Sequence, residues 1–236
     1  MLSMTYNGYD LSDLLIIQFI EGRGPFNQEI NRQSSSGRDG SYRMSRRIPE
    51  RLLRVHATIM TDSFKDIRDQ VDELNGILLS RNAVPIIFKD EPDITYYGEY
   101  LGDNEWAERN FVGSGVLPFV CYDPYKYYSE KTSTGDITLG LGMSALPIIR
   151  VTFNDNVNEF TIRHNQTRKH LRIKRNFITG DVLELNALTR HVQVNGQTNM
   201  NILMPDSDWF ELISGLNSFN ISGDVDMEIT YRERRL

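Results

Sequence analysis

The sequence has little of what secreted scaffolds and membrane proteins usually show. Its 236 residues contain one cysteine, so no internal disulfide can form and a reducing compartment during synthesis is expected. The first apolar run, at residues 14–20, is far shorter than the ~18–20 residues of a membrane-spanning helix. The first residues also lack the basic segment of a signal peptide. We therefore expect no membrane insertion and no export signal.

The sequence also lacks the common motifs of catalysis and of cofactor or metal binding. There is no glycine-rich phosphate loop, no serine nucleophile elbow, and no metal-ligand spacing among the four histidines and the cysteine. Cys121 ends the apolar run 117–121, which favours a small core side chain over a nucleophile. The acidic residues around Pro92 are typical of a turn. We predict no catalytic residues, no metal and no cofactor.

The charge balance argues against a general nucleic-acid binder. The chain has 26 Lys and Arg against 32 Asp and Glu. Residues 1–130 hold 14 basic and 20 acidic side chains (14 − 20 = −6), whereas residues 131–236 hold 12 of each (12 − 12 = 0). This difference supports two domains.

The first domain, residues 1–130, is predicted to be α+β, with one helix packed on β-sheets. A helix at residues 63–80, capped by Asp62 or Ser63, follows from apolar residues at three- and four-residue spacing; these are Phe64, Ile67, Val71, Leu74 and Leu78. Alternating apolar residues predict strands at 52–60, 84–88, 95–101 and 116–122. Pro118 indicates that the last of these strands begins at an edge or a bulge.

The second domain, residues 147–236, is predicted to be almost purely β. Residues 131–146 are rich in Ser, Thr and Gly and are expected to form a flexible linker. About eight short strands follow, one of them at 208–213, and Asn195-Gly196 is typical of a hairpin turn. This spacing predicts a two-sheet β-sandwich, so the fold class is mainly β.

Two basic clusters are candidate contact surfaces. The first follows a serine- and glycine-rich stretch at 34–40, expected to be a mobile loop, and comprises Arg38, Arg43, Arg46, Arg47, Arg51 and Arg54. The second comprises Arg163, Arg168, Lys169, Arg172, Lys174 and Arg175. In the second cluster, charges alternate with Leu171 and Ile173, which favours a solvated strand face over a protein interface or a nucleic-acid site. Arginine-rich loops in an acidic chain suit docking onto acidic patches of a neighbouring subunit.

Three segments carry a family resemblance. Residues 119–128 read Phe119-Val120-Cys121-Tyr122-Asp123-Pro124-Tyr125-Lys126-Tyr127-Tyr128, an F-x-C-x-D-P-Y-x-Y segment. An opening Tyr6-Asn7-Gly8-Tyr9-Asp10 precedes it, and an L-x-x-G-x-N turn at 212–217 follows. In this order they resemble the distal tail proteins (Dit) of siphophages. The resemblance implies a structural role in the family motif for Cys121, Asp123, Pro124 and Tyr125.

The resemblance implies a structural virion protein at the phage tail tip, made in the host cytoplasm. Members of the family form a homo-hexameric ring through their N-terminal domains and carry a galectin-like or CBM-like β-sandwich at the C-terminus. The ring is the hub between the tail tube protein, the tape-measure protein, a tail-associated lysin or fibre and, in some phages, receptor-binding proteins. DNA only passes through its channel.

Two hypotheses follow if the ring forms, and two rival functions stay open. Arg38, Arg43, Arg46 and Arg47 are the candidate subunit interface, and surplus acid would line the channel so that DNA passes without sticking. The first rival is a carbohydrate-binding module for host cell-wall sugars, and the second is a glycosidase with two carboxylates across a cleft. The stretch 164–168 does not keep the galectin H-x-N-P-R spacing, and Trp209 is the only tryptophan of the second domain.

Overall fold

The computed structural model describes residues 2–37, 39–102 and 106–236. The chain divides into two compact units. The first comprises the residues up to Lys126 together with Leu236, and the second comprises Tyr127–Arg235. The expected linker at 131–146 is therefore not a linker, because these residues belong to the second unit and contribute to two of its strands. Their polar composition reflects an exposed strand, since residues 129–132 are all exposed.

In its described residues, the first unit has ten strands, one α-helix and a short 3-10 turn at Leu11–Asp13. The strands are β1 (Met4–Tyr6), β2 (Tyr9–Asp10), β3 (Ile16–Glu21), β4 (Glu29–Gln33), β5 (Tyr42–Arg47), β6 (Arg51–Met60), β7 (Val84–Phe88), β8 (Tyr96–Tyr100), β9 (Trp106–Arg109) and β10 (Val112–Cys121). Eight of them form one sheet in the order β2-β1-β7-β8-β10-β6-β3, with β9 also paired to β10. Strands β4 and β5 pair with each other in a separate two-stranded sheet.

The helix α1 (Phe64–Leu78) confirms the spacing-based prediction. Ser63 is its N-cap, since the Ser63 Oγ accepts a hydrogen bond from the Asp66 backbone N–H at 3.2 Å. Ile67, Leu74 and Leu78 are buried in the core of the first unit, and burying each stabilises the fold by ~1.5–3 kcal/mol. The side chain of Phe64 lies outside the described part of the structure.

The long pair β6–β10 forms the centre of the main sheet. Its register runs from Val112 opposite Met60 to Cys121 opposite Arg51. Pro118 lies inside β10, not at its start, between the residues that pair with β9 and those that pair with β8. On the β8 side, the registered pairing begins only at Phe119, and the Pro118 carbonyl still accepts a hydrogen bond from the Leu101 backbone N–H at 2.9 Å. Pro118 therefore lies where the ladder on this side is interrupted, which is a position that tolerates a residue without an N–H.

The second unit is a set of antiparallel sheets. Its strands are β11 (Lys126–Ser133), β12 (Ile137–Leu139), β13 (Ile148–Phe153), β14 (Val157–His164), β15 (His170–Phe177), β16 (Val182–Asn186), β17 (His191–Val194), β18 (Gln197–Thr198), β19 (Gly215–Asn217), β20 (Phe219–Ile221) and β21 (Val225–Arg235). A six-stranded sheet has the order β11-β21-β13-β16-β17-β18, and a three-stranded sheet the order β15-β14-β20. Strands β12 and β19 pair separately, and Met200–Ile202 form a 3-10 turn.

One core fills this unit, as the prediction of a sandwich requires. Phe153 stacks on Phe177 at 4.1 Å between ring centroids, and Phe160 meets Phe153 edge-on. The strand expected at 208–213 is absent, and only an isolated bridge joins Leu212 to Ala145. Among the described residues, no helix is long and apolar enough to span a bilayer.

Candidate functional site: an arginine-rich hairpin

Strands β4 and β5 form a hairpin that buries none of its own residues. Residues 34–40 were expected to be a loop, and the structure shows that this loop joins two paired strands. Every residue of both strands is exposed. Arg43, Arg46 and Arg47 lie on β5, whereas Arg38 lies outside the described residues.

The two faces of the hairpin differ in chemistry. Directly opposed residues share a face, and successive residues of a strand alternate between faces. The register shifts between Asn31 and Arg32, where Met44 is the extra residue of β5, so the alternation along β5 reverses at this bulge. One face therefore carries Ile30, Arg32, Arg43 and Arg46, and the other carries Glu29, Tyr42 and Arg47. The hairpin thus gathers three cations on one face, and it also exposes the large apolar side chains of Ile30, Tyr42 and Met44, at 39%, 50% and 60%.

Only one of these arginines is neutralised within the described residues. Arg47 donates through Nε to Glu29 across the strand pair, which raises the pKa of the Arg47 guanidinium. Arg32, Arg43 and Arg46 lie within ion-pair distance of no described carboxylate. Three exposed cations on one hairpin favour contact with a negatively charged partner surface.

The root of the hairpin is fixed by Arg51, the first residue of β6. The Arg51 side chain is 8% exposed, and its Nη1 donates to the Gly22 carbonyl at 2.8 Å. Its Nε donates to the Pro124 carbonyl at 2.9 Å. Residues 22 and 51 are the two ends of the segment that carries the hairpin, and Arg51 connects both of them to the 119–128 motif. The position of Arg51 in a basic cluster of the sequence did not indicate this structural role.

Gly22 has no possible substitute at this root. Its φ is +90°, a conformation that L side chains rarely adopt. A Cβ built on Gly22 would lie 2.0 Å from the Leu52 carbonyl oxygen. The chain can therefore enter the hairpin at this position only through a glycine, and the Arg51 side chain binds the carbonyl of that glycine.

The motif residues Cys121, Asp123, Pro124 and Tyr125 form the end of the first unit. The Cys121 side chain is fully buried, and burial raises the pKa of its thiol to about 12, so it is unsuited to act as a nucleophile. Asp123 Oδ1 accepts a hydrogen bond from the Tyr125 backbone N–H at 3.2 Å, which closes a tight turn. The motif thus shapes the turn whose Pro124 carbonyl receives Arg51.

The second basic cluster is largely a solvated strand face. Arg172 binds both carboxylate oxygens of Glu159, at 2.7 and 3.1 Å, and Asp206 at 3.2 Å. These contacts raise the pKa of Arg172 and lower those of Glu159 and Asp206. Arg163, Arg168, Lys169 and Lys174 are exposed. The sequence showed no acid near Arg172, because its partners come from other segments of the chain.

The stretch 164–168 has a structural role and offers no sugar contact through its histidine. His164 is fully buried and stacks on Phe210, with 5.2 Å between ring centroids. Its Nε2 donates to Asn217 Oδ1 at 3.0 Å, so Nδ1 of the neutral ring accepts from the Thr167 hydroxyl at 2.8 Å. Burial lowers the pKa of His164 and keeps the ring neutral.

Among the residues that the structure describes, no three His, Cys, Asp or Glu side chains are grouped so that they could hold a metal ion. The strongest functional feature is the hairpin.

Comparison with known proteins finds similarity over both units. The family described as "Phage tail protein RIFT-related domain" matches residues 3–121, and that described as "Siphovirus-type tail component, C-terminal domain" matches residues 142–234. The distal tail protein of Bacillus phage SPP1 is 34% identical over 227 residues, covering 92% of this chain and 89% of the relative.

Solved structures agree. The crystal structure of the SPP1 Dit protein, titled a paradigm of the hub adsorption apparatus in phages that infect Gram-positive bacteria, has a TM-score of 0.89 at 28% identity, covering 100% of both chains. A component of the phage P2 baseplate in its activated conformation with Ca has a TM-score of 0.56 at 8% identity, covering 100% of this chain and 98% of that one. At that identity the second likeness shows a shared fold alone.

Proposed function

We propose, since the chain belongs to the distal tail protein (Dit) family of siphophages, that it assembles into a hexameric ring at the distal end of the phage tail. Its role is that of a structural virion protein at the tail tip, in the hub of the baseplate. The ring joins the tail tube and tape-measure proteins to the tail-associated lysin or fibre and to receptor-binding proteins. Assembly takes place in the host cytoplasm, and DNA passes through the channel.

The exposed β4–β5 hairpin is the observation that carries the ring proposal. An isolated two-stranded hairpin is at best marginally stable in water, and this one exposes the large apolar side chains of Ile30, Tyr42 and Met44. A surface of this kind is expected to be covered by a partner. A ring needs two different complementary patches on each subunit, and an arm reaching onto the next copy supplies one of them.

The outer side of helix α1 offers the other patch. Asp66, Asp72 and Glu73 are exposed there, and none lies within ion-pair distance of a described cation. With the surplus acid of residues 1–130, they present negative charge opposite in sign to Arg32, Arg43 and Arg46. Complementary charges of this kind set the register and partner choice of an interface. The same acidic surplus is available to line the channel.

The test is assembly of a variant in which Arg43, Arg46 and Arg47 are all replaced by Ser. Light scattering behind a sizing column, with negative-stain images of the main peak, measures the mass and symmetry of the full chain. We expect a six-fold ring for the unmodified protein and a loss of about tenfold or more in ring fraction for the variant, as the interfacial cations are removed.

The matched control replaces three exposed cations of the second unit, which changes the net charge equally: Arg163 and Lys174 by Ser, and Arg168, whose φ is +61°, by Asn. This control should assemble normally. Unchanged assembly of the hairpin variant, or equal loss in both variants, would refute the hairpin as the interface. Circular dichroism of each variant establishes that the fold is retained.

A further inference from the structure

The second unit contains a cavity of about 360 Å³ that shares no residue with the arginine-rich hairpin. It lies between the turn after β16, the residue before β15 and the end of β21, and its main lining residues are Lys169, Leu188, Arg190, Trp209, Glu211 and Arg234. Its volume falls within the ~300–1,000 Å³ of small-molecule sites. It also contains the only tryptophan of this unit.

The cavity carries an excess of positive charge. Arg234 is held in place, since its Nη2 donates to Glu211 Oε2 at 3.0 Å and its Nε to the Ser144 hydroxyl at 3.2 Å. Lys169 and Arg190 are exposed, and neither lies within ion-pair distance of a carboxylate among the described residues. Three cations against one carboxylate leave a local charge of +2, which favours an anionic ligand.

Turns place the backbone of both of these cations at the cavity, and the Lys169 ammonium also has a contact of its own. Arg190 has a φ of +56°, a conformation that is uncommon for arginine, in a turn where Asn186 Oδ1 accepts from the Leu188 and Thr189 N–H groups. Lys169 follows Arg168, whose φ is +61°, and its Nζ donates to the Trp209 carbonyl at 3.3 Å. Unfavourable backbone conformations held by turns are often found at binding sites.

An apolar surface lies beside the charges. Trp209 is half-buried, with part of its side chain against the core, and Leu188 is 65% exposed. An indole next to fixed cations suits a ligand that has both an apolar ring face and a negative group. A phosphate monoester has a charge of about −1.5 to −2 near neutral pH, which matches the +2 of the cavity better than a single carboxylate does.

We propose that this cavity binds a phosphate-bearing sugar, with Lys169 and Arg190 on the phosphate and Trp209 and Leu188 against the sugar ring. Such a ligand is available as a unit of an anionic saccharide. No residue of the 164–168 stretch lines this cavity. It is also independent of the hairpin, so the failure of either proposal leaves the other standing.

The test is isothermal titration calorimetry of the full chain at low salt with glucose 1-phosphate, and separately with inorganic phosphate, glucose and glucuronate. We expect glucose 1-phosphate to bind more tightly than any of the other three, with affinity falling as salt rises. Arg190→Asn should weaken binding roughly tenfold to hundredfold, the range for one charge-assisted hydrogen bond. Asn accepts the left-handed backbone more readily than Arg, so this variant keeps the fold.

Two further variants make the result specific. Arg190→Lys should retain more affinity than Arg190→Asn, because the charge remains. Arg163→Asn removes an exposed cation of β14 outside the cavity and should leave affinity unchanged. No binding of glucose 1-phosphate at millimolar concentration, or equal losses for the Arg190 and Arg163 variants, would overturn the site. Equal affinity for inorganic phosphate would overturn the sugar contact, and equal affinity for glucuronate the choice of phosphate.

Discussion

Replacing Asn217 by Ala tests whether one buried amide holds the C-terminal turn of the second unit. Asn217 is fully buried. Its Nδ2 donates to the carbonyl oxygens of Ile213 at 2.8 Å, Gly215 at 3.0 Å and Ile137 at 3.2 Å. Its Oδ1 accepts from the Ile213 N–H at 2.8 Å and from His164 Nε2 at 3.0 Å. This residue is the Asn of the L-x-x-G-x-N motif, so the motif describes a hydrogen-bonding centre.

The size of the effect follows from the groups left without a partner. Asn217→Ala removes the acceptor of two N–H donors, on Ile213 and His164, and each buried unsatisfied group costs ~1–3 kcal/mol. The expected loss in free energy of unfolding is therefore ~2–6 kcal/mol, a large share of the ~5–15 kcal/mol that stabilises a typical domain. For a unit of this size the melting temperature should fall by ~10 °C or more.

Urea and thermal unfolding of the full chain, followed by circular dichroism at fixed protein concentration, measure this loss. Asn220→Ala is the matched control, because Asn220 is exposed on β20 and its loss should change stability by less than ~0.5 kcal/mol. Asn217→Asp keeps the acceptor but faces three carbonyls with a carboxylate, so it should destabilise at least as much as Asn217→Ala at neutral pH. An Asn217→Ala protein within ~1 kcal/mol of the unmodified chain would refute the reasoning.

Two other predictions concern the first unit. Gly22→Ala should abolish or misdirect the hairpin, since the added Cβ would lie 2.0 Å from the Leu52 carbonyl oxygen. The control Gly24→Ala should have little effect, because there is open space around its Cβ. Expression and ring formation of the two variants test this prediction. The Cys121 thiol, with its pKa raised to about 12, should stay unreactive to a thiol reagent in the native protein and react once the chain is unfolded. Because the folded pKa is the higher one, the thiol's contribution to stability is complete below the unfolded pKa of ~8.5 and is lost as pH rises toward the folded value; rapid native labelling at pH 8 would contradict its burial.

The parts of the fold that the sequence predicts are those where side-chain periodicity and burial agree. Helix α1 was predicted because Ile67, Leu74 and Leu78 lie on one stripe and are buried together. Strand β6 was predicted for the same reason, since Leu53, Val55, Ala57 and Ile59 alternate and point into the core. In both cases the local pattern records the position of the core, so it is readable without knowing the tertiary contacts.

The candidate sites depend on contacts between residues far apart in the sequence. His164 and Asn217 are separated by 53 positions, and Arg51 and Pro124 by 73. Arg172 belongs to a stretch without acidic residues, and its partners Glu159 and Asp206 come from other segments. The cations of the Trp209 cavity likewise meet only after the turns around residues 168 and 190 have formed. No periodicity within one segment records such pairs, because the pairing is set by strand order.

The hairpin shows a third case, in which the local pattern is absent because the chain alone does not bury the element. Strands β4 and β5 have no buried residue. Their sequence around Arg43 and Arg46 therefore lacks the alternation of apolar and polar side chains from which a strand is predicted. The described residues leave this strand pair uncovered, yet Arg51 and Gly22 anchor its ends. The element that sequence periodicity could not identify is therefore the one that we expect a neighbouring subunit to cover in the proposed ring.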